Sequence, residues 1–197
     1  HRFLQAVVNR ARKASLMSSE HFSVDGTLIE AWASMKSFRP KDEKDDDRGD
    51  GNGWGDFKGQ KRNNETHESK TDPEAKLLRK GAGKEAKLCF AEHVLMENRN
   101  GLIVDMLVAP AVGVTEPEAA LELLTRALPT GRITVGADKG YDTKDFVREC
   151  RGMDMTAHVA QHINARRSSA VDGHITRHAG YAVSQVVRRR IESIFGW

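Results

Sequence analysis

Between residues 86 and 159 the hydrophobic pattern changes period element by element, and this order limits the chain to few folds. "AKLCFAEHVLMENRNGLIVDMLVAP" (86–110) holds two apolar runs around "ENRNG", whose Asn100-Gly101 pair is a hairpin turn signal. "TEPEAALELLTRAL" (115–128) has a Thr cap, a Pro in the first turn and early glutamates, which predicts a helix. "RITVGA" reads as a strand, "TKDFVREC" as a helix and "MTAHVA" as another strand. A hairpin followed by alternating helix and strand predicts a mixed α/β sheet with helices packed on its faces.

The flanks are less regular. Residues 2–19 carry Phe3, Val7, Arg10, Ala11 and Ala14 at helical spacing, and 21–33 reads as a strand running into a turn or short helix. Residues 39–74 contain no Val, Ile, Leu or Met, which predicts a long mobile loop inserted after the first strand. Its Asp cluster fails the calcium-loop spacing, because Arg48 stands third from Asp46 and Lys61 twelfth from Asp50. "RKGAGKEAK" lacks the Walker spacing and any Ser or Thr after Lys84. Residues from about 184 to 197 read as a terminal helix.

With 39% hydrophobic and 30% charged residues the balance is that of a soluble globular domain. No apolar run approaches the roughly 20 residues of a membrane span. The start is a mixed-charge helical pattern without the features of a signal peptide and without Met, so the chain reads as part of something longer. Cys89 and Cys150 stand alone, which fits a reducing cytoplasm.

Three carboxylates stand out. Asp25 lies inside the first strand, Asp138 ends "RITVGA", and Glu192 lies in "RRRIESIFGW". If the two strands are neighbours and the last helix crosses the sheet, the three converge. Converging carboxylates repel one another unless divalent cations neutralise them, and an all-oxygen set favours Mg²⁺ or Mn²⁺. Two such ions about 3.5–4 Å apart clamp a phosphodiester for in-line displacement. Asp105, in "GLIVDMLV", competes as a strand carboxylate and is expected on the solvent face of the hairpin. From Arg151 to Ile191 there are seven Arg and only two acidic residues, Asp154 and Asp172, a basic stretch suited to phosphates. His158 with His162, and His174 with His178, have a spacing that would suit zinc on helices. The strand-like setting of the first pair points instead to packing beside the site or contact with DNA.

The strings "EHFSVDGTLIEAWASMKSF", "TDPEAKLLRKGAGKEAKLCFAEHVLMENRNGLIVDM", "GADKGYDTKDFV" and "RRRIESIFGW" resemble the DDE-class transposases of bacterial insertion sequences, from about residue 18 to 197. The resemblance implies a ribonuclease-H-like α/β fold over 21–197, cut short at its C-terminus, with residues 1–20 the remnant of an upstream DNA-binding region. It implies Asp25, Asp138 and Glu192 as catalytic residues and ligands of two divalent ions, Mg²⁺ or Mn²⁺. The family signature around the glutamate is Tyr, two residues, Arg, three residues, Glu, six residues, Lys. Arg188 and Glu192 match it, Gln185 takes the Tyr position, and the Lys would fall at 199. The implied partner is double-stranded DNA, met by Arg166, Arg167, Arg188, Arg189 and Arg190, with a homodimer on DNA compatible. The implied setting is the bacterial cytoplasm at the nucleoid, with no membrane. The implied activity is metal-dependent phosphodiester hydrolysis and strand transfer; a non-catalytic DNA-binding remnant and a plain nuclease of the same fold are the alternatives.

Overall fold

The computed structural model describes residues 2–42, 62–79, 81, 83–129, 131–164 and 168–196. Helix α1 spans Arg2–Lys13, and strands β1 (His21–Glu30), β2 (Phe38–Pro40), β3 (His67–Ser69) and β4 (Lys76–Arg79) follow. The hairpin strands are β5 (Ala86–Glu97) and β6 (Ile103–Pro110). Then come α2 (Glu116–Ala127), β7 (Ile133–Ala137), α3 (Lys144–Gly152), β8 (Met155–Val159), α4 (Gly173–Thr176) and α5 (Ala179–Val187). A 3₁₀ segment, Arg188–Phe195, continues from α5. Among the described residues no helix is long and apolar enough to cross a membrane.

The chain forms two compact units. The first comprises residues 1–27, 92–107 and 115–197. Its strands run in the order β5-β1-β7-β8, with β6 also on β5. β1 and β7 are parallel in the register His21↔Thr134, Phe22↔Val135, Ser23↔Gly136, and β7 is parallel to β8. This is a mixed sheet with flanking helices, as the order of elements predicts.

The period of two along β5 makes both faces visible. Leu95 joins Phe22, Val104, Leu123, Leu124, Val135 and Phe146 in the main core, beneath α2 and α3. Its neighbours Val94 and Met96 pack instead with Ile191, Ile194 and Phe195 of the 3₁₀ segment. Each such fully buried side chain contributes roughly 1.5–3 kcal/mol. The helix α2 starts where its sequence says: Thr115 and Glu118 form a capping box. The hairpin closes on Glu97, which is fully buried and accepts backbone N–H groups from Ser18, Arg99, Asn100 and Leu102 at 2.8–3.2 Å. Burial pushes its carboxyl up, but these four donors outweigh that and hold it below the usual carboxylate range. Gly101, at φ 74°, supplies the left-handed turn residue that the sequence promised.

Asp105 corrects the sequence reading. It is 1% exposed, not on a solvent face, and pairs with Arg126 of α2 through a 2.8 Å bond from Nε. The terminal element also differs. An α-helix ends at Val187, and the tighter 3₁₀ turn takes over as far as Gly196 at φ 82°.

The second unit comprises residues 28–91 and 108–114. The predicted loop 39–74 is described only at its ends, and residues 43–61 lie outside the described residues. The ends are paired: β2 and β3 are antiparallel, with Phe38↔Ser69 and Pro40↔His67. His67 and Ser69 are buried, and the Phe38 ring stacks on His67 at 5.5 Å. Ser37 and Ser69 share a hydroxyl bond of 2.8 Å, and Lys41 N–H donates to the Thr66 carbonyl. Counting aliphatic residues missed this strand, because an aromatic ring from outside the segment and polar pairs do the packing. Strand β4, which pairs with the start of β5, was also missed.

The buried Asp105 makes its partner testable. Arg126→Ala should lower stability by roughly 2–4 kcal/mol in chemical denaturation, because a buried carboxylate loses its cation. The double variant with Asp105→Asn should recover part of that loss.

Candidate active site

The parallel register of β1 and β7 aligns two of the predicted residues. Continued two residues past Ser23↔Gly136, it brings Asp25 level with Asp138, on strands spaced about 4.8 Å apart. Asp25 Oδ1 accepts the Gly26 N–H at 2.8 Å. Asp138 caps the 3₁₀ turn Lys139–Tyr141, with Oδ1 accepting the Gly140 N–H at 2.6 Å. A carboxylate at this strand end is therefore a cap as well as a candidate ligand.

Glu192 is exposed on the 3₁₀ segment, and its neighbour Ile191 is the anchor, 3% exposed against Val94 and Met96. The charges of Asp138 and Glu192 both act on Asp25, so the structure brings the three predicted carboxylates within electrostatic reach. Burial is the largest cause that raises the Asp25 carboxyl to about 6. The two neighbouring carboxylates add to the rise, while the Gly26 N–H and the Arg188 guanidinium oppose it.

Arg188 is fixed from two sides. Its Cβ lies 3.2 Å from where a Cβ on Gly136 would stand, so its stem crosses β7. Its Nε donates to Gln185 Oε1 at 3.1 Å, and Gln185 Nε2 donates to the His158 carbonyl at 2.8 Å. The residue in the signature's Tyr position thus tethers Arg188 to β8. Arg189 and Arg190 are exposed, and Arg190 reaches the Asn98 carbonyl at 3.4 Å. Arg166 and Arg167 lie outside the described residues. On either side of them, His162 N–H and Ala170 N–H donate to the buried Asp142 at 2.6 and 2.8 Å.

Three residues at this site were missed by sequence reasoning. Glu116, first residue of α2, is exposed along its length, but its carboxyl is raised, first by partial desolvation of the head group and then by the charges of Asp138 and Asp25. Tyr141 is fully buried with its hydroxyl unpartnered among the described residues, and Glu116, Asp25 and Asp138 all act on it. His93 is 2% exposed, with both ring nitrogens unpartnered among the described residues. Gly26 admits these groups to the strand: a Cβ there would stand 3.0 Å from His93 Nδ1 and 3.4 Å from Glu116 Cγ. A "DG" in a strand was the available signal, since an isolated strand glycine marks a close approach.

The histidine pairs do not form a zinc site on a helix. His158 lies on β8, its Nδ1 bonded to Ser184 Oγ at 2.7 Å, and the same hydroxyl meets His21 Nε2 at 3.0 Å. Burial, with the charges of His21 and His178, lowers His158 to about 4. His178 caps α5.

The carboxylate donor set suits a hard divalent cation, and the unpartnered Tyr141 and His93 atoms leave its surroundings polar. Among the described residues no group of three acidic, His or Cys side chains is arranged to hold a metal ion by itself. Asp25 and Asp138 therefore fit as two ligands of a sphere completed by other oxygens.

The raised Asp25 carboxyl fixes the sign of a pH effect. Its contribution favours the fold below the unfolded pKa near 4 and is lost as pH rises through about 6. Asp25→Asn removes the charge, so without metal the variant should be more stable than the wild type at pH 7.5, by about 1–3 kcal/mol. The two melting curves should converge near pH 4.

No curated protein matches the chain. A solved structure, the Mos1 transposase paired-end complex with left transposon end, is similar over 78% of this chain and 39% of that one, at 10% identity and a TM-score of 0.34. The family model for the transposase DDE domain matches residues 18–197, and on that match the chain belongs to the transposase DDE domain family.

Proposed function

We propose that this chain is the catalytic domain of an insertion-element transposase, which hydrolyses DNA phosphodiesters and transfers the freed strand with the aid of divalent cations. The observation that carries the reading is the parallel register of β1 and β7, which, continued by two residues, sets Asp25 beside Asp138 just past the end of β7, with the charges of Glu192 and Arg188 acting on Asp25. Asp25 and Asp138 would hold the ions, Mg²⁺ or Mn²⁺, and Glu192 would complete the set from the 3₁₀ segment. When bound, two such ions supply activation of the attacking oxygen and stabilisation of the leaving one.

The chain's own residues do the positioning. Arg188, tethered by Gln185, presents a guanidinium beside Asp25, where it can fork onto a phosphate without swinging free. Arg189 and Arg190 extend the positive surface, and Arg166 and Arg167 add charge to the same basic stretch of sequence. The partner is double-stranded DNA, element ends and target, held by a homodimer in the bacterial cytoplasm at the nucleoid.

A metal-dependent assay on element-end duplexes tests the activity. Joining supports the transposase, cutting without joining supports a nuclease, and binding without either supports a non-catalytic remnant. Asp138→Asn should abolish joining and also the Mg²⁺-dependent rise in melting temperature; retention of both would sink the assignment of Asp138. DNA affinity should fall steeply with salt. Replacing Arg188, Arg189 and Arg190 with Ala should flatten the slope of log K against log salt by about 0.9 for each phosphate no longer neutralised. An unchanged slope would move the DNA surface elsewhere.

A further inference from the structure

We propose that Glu116 is a fourth carboxylate of the active site, drawn in to ligate a divalent cation once Asp25 and Asp138 hold it, since without the ion the three do not stand in a ligating arrangement, and that His93 and Tyr141 keep the surrounding shell polar. This rests on the reading of Asp25 and Asp138 as metal ligands and adds a residue that the three-carboxylate pattern does not contain.

The geometry comes from two glycines. One follows Asp25 directly, and the other donates its N–H to Asp138. A Cβ on Gly26 would lie 3.4 Å from Glu116 Cγ, and a Cβ on Gly140 would lie 3.6 Å from Glu116 Oε2. The side chain of Glu116 therefore spans the gap between the backbone beside one candidate ligand and the backbone that caps the other. Thr115 fixes its origin, because the capping box holds the first turn of α2 in place.

Acidic side chains gathered at strand ends are not by themselves a site. Here two further groups point to a ligand. His93 is 2% exposed with neither nitrogen partnered among the described residues, and its Nδ1 is 3.0 Å from the same Gly26 position that Glu116 abuts. Tyr141 is fully buried, its hydroxyl is likewise unpartnered, and it feels Glu116, Asp25 and Asp138 together. Buried polar side chains without partners are rare. Two beside one carboxylate group fit the outer shell of a hydrated cation, where an imidazole and a phenol hydrogen-bond to water or to ligating carboxylates.

The test uses Mn²⁺ alone, without DNA, with free ion counted by electron paramagnetic resonance and binding checked by thermal shift. Four variants are compared with the wild type: Glu116→Gln, Glu116→Asp, Asp138→Asn, and Glu149→Gln as an exposed charge-matched control. Glu116→Gln should weaken Mn²⁺ binding at least about tenfold, while Glu149→Gln stays within about twofold. Glu116→Asp, equally charged but one methylene shorter, should also weaken it several-fold, because a ligand must reach. If Asp138→Asn loses binding while Glu116→Gln keeps the wild-type affinity, Glu116 is not a ligand although the site stands. If Glu116→Asp binds like the wild type while Glu116→Gln does not, Glu116 acts only as a distant charge, and the proposal is overturned. Wild-type affinity in Asp138→Asn, or no Mn²⁺ binding by the wild type, overturns the site itself.

Discussion

The parallel ladder between β1 and β7 is the constraint on which the site depends. Hydrogen-bonded strands cannot shift by one residue without turning every side chain to the opposite face. With Phe22 and Val135 committed to the core, the register is fixed. Asp25 and Asp138 are then held level whatever their mutual repulsion. Packing energy from the strand interiors offsets an unfavourable placement at their ends, and the Gly26 and Gly140 N–H groups soften it. The fold spends stability here, since Asp25 is held where its charged form is disfavoured.

The remaining parts are brought in by side chains that lie outside the carboxylate group. Ile191 seats the 3₁₀ segment on Val94 and Met96, which sets where Glu192 emerges. Gln185 reads the β8 backbone at His158 and passes that position to Arg188. The chain His21–Ser184–His158 links the start of β1 to α5 and β8 through one hydroxyl. Burial disfavours the charged form of both rings, so the tie adds little charge of its own.

The order of elements from 86 to 159 was legible because each announces itself locally: a turn glycine, a capping threonine, a change of period. Asp25 and Asp138 stood out as candidates because each meets an apolar run, and Glu192 because of its place in "RRRIESIFGW". What was not legible depends on partners distant in sequence. Asp105 has the same setting as Asp25 in the string, and only Arg126, 21 residues away, makes it a buried ion pair. His67 and Ser69 look like loop residues until Phe38 is beside them. Glu116 reads as an ordinary first-turn glutamate, because nothing in the string places Gly26 next to it. The terminal segment kept its helical period, while the 3₁₀ winding stacks Ile191 and Ile194, three residues apart, on the side that packs with Val94 and Met96.

Asp142 takes one backbone N–H from each side of the stretch between His162 and Ala170, so that stretch is stapled at both ends to the residue that follows Tyr141. One carboxylate thus fixes two backbone positions eight residues apart in sequence, so a single change at Asp142 would release His162 and Ala170 together.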